Sequence, residues 1–320
     1  SRRRLLPCCF EIARVFCSAM ADVADECFGI IGGSGVQITG KEKTRIETPY
    51  GDCLVSYLDE GKRVVFANRH NCTRLDDNGQ GQYAPPHEVN YHALVWALAV
   101  VCKCRGIVAL GSTGTLHPEA IPLTAVVMPT DYYMVRPEPI TFWGNERIGA
   151  FAPPEGGLGR IHYSPADVTD AGWVALRHRV QATLSPLLAA LPEGRVKLTE
   201  QQTAESWPCL RELPDNKGNA AMTYVNTIGP RFETRAEIRA YQAVGHVVGM
   251  TCAREWALCE ELSVPYCLVC FCDNACNGLS NHPGGALQEY LEHKDKIADV
   301  TSAVIEALVA DLSSGKSTLP

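Results

Sequence analysis

Three apolar segments of the sequence end alike, in glycines and small hydroxyl residues: Gly32-Gly33-Ser34-Gly35, Gly111-Ser112-Thr113-Gly114, and Met250-Thr251. Glycines let backbone N–H groups approach an anion, and a helix expected after Thr251 adds the positive end of its dipole. Arg69 and His70 close a fourth segment. The guanidinium fork matches phosphate oxygens, and an imidazole can donate beside it. Together these residues describe a site for inorganic phosphate or a phosphoryl group. Each also has a plainer reading: Ser34 and Ser112 as turn residues, Arg69 as a surface ion pair, Thr251 as a helix cap. Capping and anion binding are compatible. Glu233 has the opposite sign. It stands just before a capping box of Thr234 and Glu237, near the carboxyl end of an expected strand, where open α/β sheets place their ligands.

The elements that must position these residues alternate along the chain. FGIIGGSGV, RVVFANRH, GIVALGSTGTL, AVVMPTDYYMV and the segment before NTIGPRFE have strand character. HEVNYHALVWALAVVCKC, DAGWVALRHRVQATLSPLLAAL, CAREWALCEEL and ALQEYLEHKDKIADVTSAVIEALVADL have helical spacing. Alternation of this kind predicts an α/β fold, a single domain with a mixed central β-sheet flanked by helices. The domain is expected over 27–312, with polar insertions near 71–86 and 192–219 and a tail at 313–320. Residues 1–26, basic and weakly amphipathic, are set outside the fold; the segment up to Met20 is a transit-peptide remnant or an upstream extension.

The 320 residues are 46% hydrophobic, enough for one large core, and the net charge of −7 argues against nucleic acid as a partner. No apolar run reaches the ~20 residues that span a bilayer, so no membrane partner is expected. The 15 cysteines are an odd number spread through apolar segments, which points to reduced thiols and a cytoplasmic setting. In CLVCFCDNAC, strand alternation puts Cys270, Cys272 and Cys276 on one face and Cys267 on the other. That does not suit a tetrahedral metal site, and core packing is the expectation.

In order and spacing, GIIGGSG, NRH, PPHEVNYHALVWAL, GSTGTL, YVNTIGPRFETRAEIRAY, VVGMTCAREWALCEEL and CDNACNG resemble the trimeric methylthioadenosine phosphorylase and purine nucleoside phosphorylase family. The resemblance runs from about Cys27 to Leu312, apart from the two insertions. It implies a nucleoside phosphorylase-like fold and a pentosyl transfer in which phosphate attacks C1′ of a purine nucleoside. The products are a free purine and a ribose 1-phosphate or its 5-methylthio counterpart. Inorganic phosphate is then a co-substrate; no cofactor or metal is implied. By the family pattern Ser34, Arg69, His70, Ser112 and Thr251 hold phosphate. Met250 lies against the ribose, Phe232 packs on base or ribose, and Cys276 stands among the nucleoside positions. His162, in RIHYSPAD, matches a histidine that reaches over the sugar from a neighbouring subunit of a homotrimer. Three departures stand out: Arg254 for a usual proline, Asp273 for a small hydroxyl residue, and Cys276 and Asn277 for alanines. The 71–86 loop is also longer than in relatives.

A 6-oxopurine offers an N1–H donor and an O6 acceptor. Glu233 can accept from N1–H, and the Asn274 amide can donate to O6 while its oxygen accepts a proton on N7; these two are the expected catalytic, base-reading residues. The pairing of FET with DN resembles members acting on hypoxanthine and guanine nucleosides, so an inosine-type base is favoured over 5′-methylthioadenosine. A one-residue shift of the strand would instead present Asp273 and restore adenine use. In GALQEYLEHK, Leu287 and Leu291 share a helical face and would favour a 5′-alkylthio group, or simply pack in the core, with His293 nearby. Two other classes remain: a catalytically idle nucleoside-binding relative, and an NAD-dependent oxidoreductase built on GIIGGSG. The latter lacks the third glycine of its fingerprint, and Glu47, near the required spacing, lies in a poor strand.

Overall fold

The computed structural model describes residues 27–33, 36, 38, 40–135, 139–142, 164–166, 170–190, 198–199 and 222–315. Among these, eleven strands form one mixed sheet. In chain order they are β1 (Cys27–Gly32), β2 (Thr44–Ile46), β3 (Cys53–Tyr57), β4 (Val64–Asn68), β5 (Cys104–Thr115) and β6 (Val126–Val127). β7 (Asp131–Met134), β8 (Leu198–Thr199), β9 (Thr223–Asn226), β10 (Val247–Gly249) and β11 (Tyr266–Ala275) follow. The helices are α1 (Tyr91–Trp96, continued as a π-helical turn over Ala97–Val101), α2 (Ala171–Ala189), α3 (Arg235–Tyr241), α4 (Cys252–Glu261) and α5 (Gly285–Leu312).

The long strand β5 is the pivot. It pairs parallel with β1 on one edge and with β11 on the other, while its last two residues turn to pair antiparallel with β10. Both faces are buried. Ile107 and Ala109 of β5, with Leu268 and Cys270 of β11, join Leu94 of α1 and Leu258 of α4 in one core. Val108 and Leu110, with Val269 and Phe271, meet Leu176 and Val180 of α2 and Val300 and Val304 of α5 in another. A strand alternates its side chains with period two, so a strand with helices on both faces must be apolar throughout. That explains the continuous runs GIVAL and CLVCF.

Several expectations shift at boundaries. AVVMPTDYYMV is two strands, because Pro129 cannot donate to a ladder: β6 pairs with β11, and β7 with β9. HEVNYHALVWALAVVCKC yields a short α1 that begins after Asn90, whose side chain accepts from the Ala93 N–H. The insertion near 192–219 contributes β8, parallel to β6; its remaining residues lie outside the described ones. β11 carries a bulge between Cys272 and Asn274. One consequence is that Cys276 does not share a face with Cys270 and Cys272, as plain alternation predicts, but packs with Leu116, Val225, Ile238 and Val248. The described cysteines are buried and free, and no group of three metal-ligating side chains occurs among the described residues. None of the described helices is long and apolar enough to cross a membrane.

Candidate active site

The carboxyl ends of β4, β5, β10 and β11 open into a pocket of about 340 Å³. Arg69, His70, Ser112 and Thr251 line it together with Phe232, Glu233, Met250 and Asn274. The sheet thus brings together residues up to 205 positions apart in sequence, at the end of the strands where ligands bind in open α/β folds.

Arg69 is not a surface residue but is 1% exposed. Its Nε bonds Glu255 Oε1, one terminal nitrogen donates to Glu255 Oε2 at 2.9 Å, and the other donates to the Leu110 carbonyl at 3.1 Å. The Tyr266 hydroxyl also donates to Glu255, at 2.9 Å. The guanidinium is held from behind, and a side chain at Gly33 would sit 2.7 Å from its Nη1; only glycine lets it lie there. Glu255 escaped the sequence reading. Its signal is a carboxylate four residues into a helix whose N-cap, Thr251, faces the anion pocket.

His70 differs from the expected donor. Its Nδ1 lies 2.8 Å from the Ala84 carbonyl, which can only accept, so Nδ1 carries the hydrogen and Nε2 presents a lone pair. Burial and the adjacent Arg69 charge pull the ring down to about 4, so it is neutral near pH 7. Tyr83 stacks on it at 5.2 Å, brought there by the 71–86 loop, whose Pro85 and Pro86 also line the pocket.

The N-terminus of α4 is likewise occupied from below. The N–H groups of Thr251 and Cys252 both donate to the Tyr224 hydroxyl at 3.3 Å, and that of Ala253 to the Asn226 side chain at 3.1 Å. The expected free backbone donors are therefore taken. The Thr251 hydroxyl, by contrast, makes no capping bond and borders the pocket. Arg254 has an N–H that donates to the Thr251 carbonyl at 3.2 Å, and its guanidinium lies over the Tyr91 ring.

Glu233 is buried, and the Thr227 hydroxyl donates to its Oε1 at 2.6 Å. Burial raises its pKa, with the Thr227 hydrogen bond opposing. Asn277 fixes the Glu233 carbonyl from below at 2.8 Å. Asn274 sits opposite Gly114, where any Cβ would come within 3.1 Å of the Asn274 amide nitrogen. The bulge decides which residue of the DN pair takes this place: it leaves Asp273 unpaired in the ladder and sets Asn274, not Asp273, against Gly114. Asp273 faces away, bonded by the Ser112 hydroxyl.

Other expected residues are not brought in. Ser34 and His162 lie outside the described residues. Cys276 is buried and does not line the pocket. Leu287 and Leu291 are 53% and 40% exposed; Tyr290, on the turn between them, lines the pocket and lies 6.1 Å from the Phe232 ring. The buried stripe of α5, through Ile297, Val300, Val304 and Leu308, extrapolates back to Tyr290 rather than to the leucines.

Asp273 also predicts a stability profile. Burial pushes its carboxyl up to about 7, against the Ser112 hydrogen bond. Its unfolded value is about 4, so this contribution is complete below pH 4 and is lost as pH rises through 7. Between pH 5 and pH 8 the loss amounts to about 3 kcal/mol. Asp273→Asn should remove it, giving a variant that gains on the parent in urea unfolding at pH 8 but not at pH 5. Parallel curves at the two pH values would contradict the assignment.

Comparison with known proteins fits this geometry. A profile of the phosphorylase superfamily matches residues 28–310. A probable S-methyl-5′-thioinosine phosphorylase of Methanopyrus kandleri is 32% identical over 257 residues, 79% of this chain and 80% of that one. A 6-oxopurine nucleoside phosphorylase of Pyrococcus furiosus is also 32% identical, covering 78% and 80%. Among solved structures, a variant adenosine/methylthioadenosine phosphorylase from Schistosoma mansoni superposes with TM-score 0.65 at 21% identity, over 91% of this chain and 93% of its own.

Proposed function

The chain belongs to the phosphorylase superfamily, and from that premise we propose that it is a purine nucleoside phosphorylase of the methylthioadenosine phosphorylase type with a preference for 6-oxopurines. Inorganic phosphate attacks C1′ as the N-glycosidic bond breaks, through an oxocarbenium-like transition state. The leaving purine takes a proton at N7, balanced by the proton that hydrogenphosphate gives up on becoming the ester, and the sugar becomes (5-methylthio)ribose 1-phosphate. Arg69, Ser112 and Thr251, joined by Ser34, hold the phosphate by charge and hydroxyl donation. His70 offers a lone pair to a protonated phosphate oxygen. Met250 and Phe232 pack against the sugar and base. Catalysis is mainly positioning and electrostatics, with phosphate as co-substrate and no cofactor.

The observation that carries the base preference is the Thr227–Glu233–Asn274 arrangement. Thr227 donates to one carboxylate oxygen, leaving the other as an acceptor in a pocket shared with Asn274. A 6-oxopurine N1–H satisfies it, whereas adenine presents a second lone pair. The relatives named for 6-oxopurine and 5′-methylthioinosine substrates support the same reading. At neutral pH, kcat/KM for 5′-methylthioinosine should exceed that for 5′-methylthioadenosine by about tenfold or more. Acidification protonates Glu233, whose pKa burial raises, and a protonated carboxyl can donate to adenine N1. The ratio should therefore fall as pH falls; a ratio that rises or stays level sinks the base assignment.

The enzyme is also proposed to work as a homotrimer. The exposed Leu287 and Leu291 give α5 an apolar surface for a neighbouring subunit to cover. Light scattering at assay concentration should return three subunits, and a fully active monomer would rule this out.

A further inference from the structure

The bulge of β11 holds an acid that the proposed reaction leaves unused. Asp273 is 2% exposed; its Oδ2 accepts from the Ser112 hydroxyl, and its Oδ1 has no hydrogen-bond partner. Ser112 borders two cavities: the substrate pocket on one side, and on the other a small cavity that it shares with Asp273, Gly33, Tyr290 and Lys294. A serine hydroxyl has one hydrogen. When that hydrogen points at the carboxylate, Ser112 shows only lone pairs to an anion in the pocket.

We propose that Asp273 gates the phosphate site by setting the direction of the Ser112 hydroxyl. With the carboxyl protonated, Asp273 donates to Ser112 Oγ, and the Ser112 hydrogen turns into the pocket to bind phosphate. With the carboxylate ionised, the hydrogen is held back, as in the arrangement described above. Asp273 is thus a positioning residue that acts on phosphate through Ser112, and the inference rests on the phosphorolysis reading.

The surroundings permit the switch. Lys294 lines the cavity from α5 but is exposed, and Tyr290 lines it from the same helix. Glu289, also on α5, accepts from the Ala275 N–H at 2.6 Å. Beyond Gly33 the Arg69 charge is paired with Glu255. On β11 the Cys272 thiol is pushed up to about 12 by burial and stays neutral. Burial also brings Asp273 to about 7, so both of its states are populated near neutrality.

Phosphate itself titrates near neutrality, so sulfate is the cleaner probe: it keeps its double charge from pH 6 to 8. Calorimetric sulfate binding to the wild-type protein should weaken by about tenfold across this range, because a donor to a charged ligand is withdrawn. Asp273→Asn, which donates permanently to Ser112 Oγ, should bind sulfate with the wild-type pH 6 affinity at both pH values. For phosphate, the wild-type to variant ratio of dissociation constants should rise with pH in the same way. Should Asp273→Asn fail to fold, the wild-type sulfate profile and Asp273→Ser carry the test; the serine variant is also expected to be flat. Wild-type sulfate binding that does not change with pH overturns the gate alone. Absence of binding by both anions overturns the phosphate site on which it rests. Neither readout requires turnover.

Discussion

Glu233→Gln should lower kcat/KM for 5′-methylthioinosine or inosine by about a hundredfold, while 5′-methylthioadenosine loses little or gains. A hydrogen bond to a charged group is worth about 1.5–3 kcal/mol, and the glutamine amide can turn its NH₂ toward the N1–H, which makes a donor–donor clash. Toward adenine the same NH₂ faces the N1 lone pair and becomes useful. The Thr227 hydroxyl, which donates to Glu233 Oε1 at 2.6 Å, should select this amide orientation by keeping the glutamine oxygen on its own side. Thr227→Val removes that constraint and should blur discrimination without reversing it. Steady-state kinetics on the two 5′-methylthio nucleosides, with phosphate saturating, decide the matter. Equal losses on both would show that Glu233 holds structure and does not read the base.

Arg69→Ala should act on stability and on phosphate together. Removing one member of a buried ion pair leaves the other uncompensated, at a cost of about 3–5 kcal/mol. Glu255, 0% exposed, would keep only Tyr266 as a partner. The phosphate requirement should rise by tenfold or more through the lost guanidinium. The two effects separate in the double variant Arg69→Met with Glu255→Leu. Apolar replacement of a buried pair is often neutral, so urea unfolding should return near the parent value while phosphate dependence stays impaired. Normal phosphate dependence in that folded double variant would remove Arg69 from the site.

Much of this arrangement could be read in the residues, for identifiable reasons. Strand ends in Gly-Ser, Asn-Arg-His and Met-Thr are local signals: β1, β4 and β10 end where their motifs begin, whereas β5 runs on through Gly111-Ser112-Thr113-Gly114 to Thr115, so that motif is strand and not the turn its glycines suggest. The capping box at Thr234 and Glu237 is also local, and both of its hydrogen bonds form. What could not be read depends on contacts between distant segments. Nothing near Arg69 announces Glu255, 186 residues later. The His70 tautomer is set by a carbonyl in a loop, Ala84, that periodicity does not place. The N-terminus of α4 looked open to an anion, but Tyr224 and Asn226 approach it from a neighbouring strand. On α5 the i, i+4 spacing correctly identified a stripe at Leu287 and Leu291, but spacing alone does not say which side of a helix meets the sheet. The bulge at Asp273 is the sharpest case, since one extra residue inverts the assignment of neighbouring side chains.

Ser112 and Gly114 are two residues apart on β5; one bonds Asp273 and the other stands against Asn274. Two residues of extended strand span about 6.7 Å. The separation between the anion end and the base end of the proposed site is therefore fixed by a ladder of backbone hydrogen bonds at the centre of the sheet. Loops around the rim, such as 71–86, can change length and so what covers the substrates without changing how far apart they are held. The strand pair works as a fixed gauge, and divergence at the rim can alter which nucleoside is admitted while leaving the reacting distance untouched.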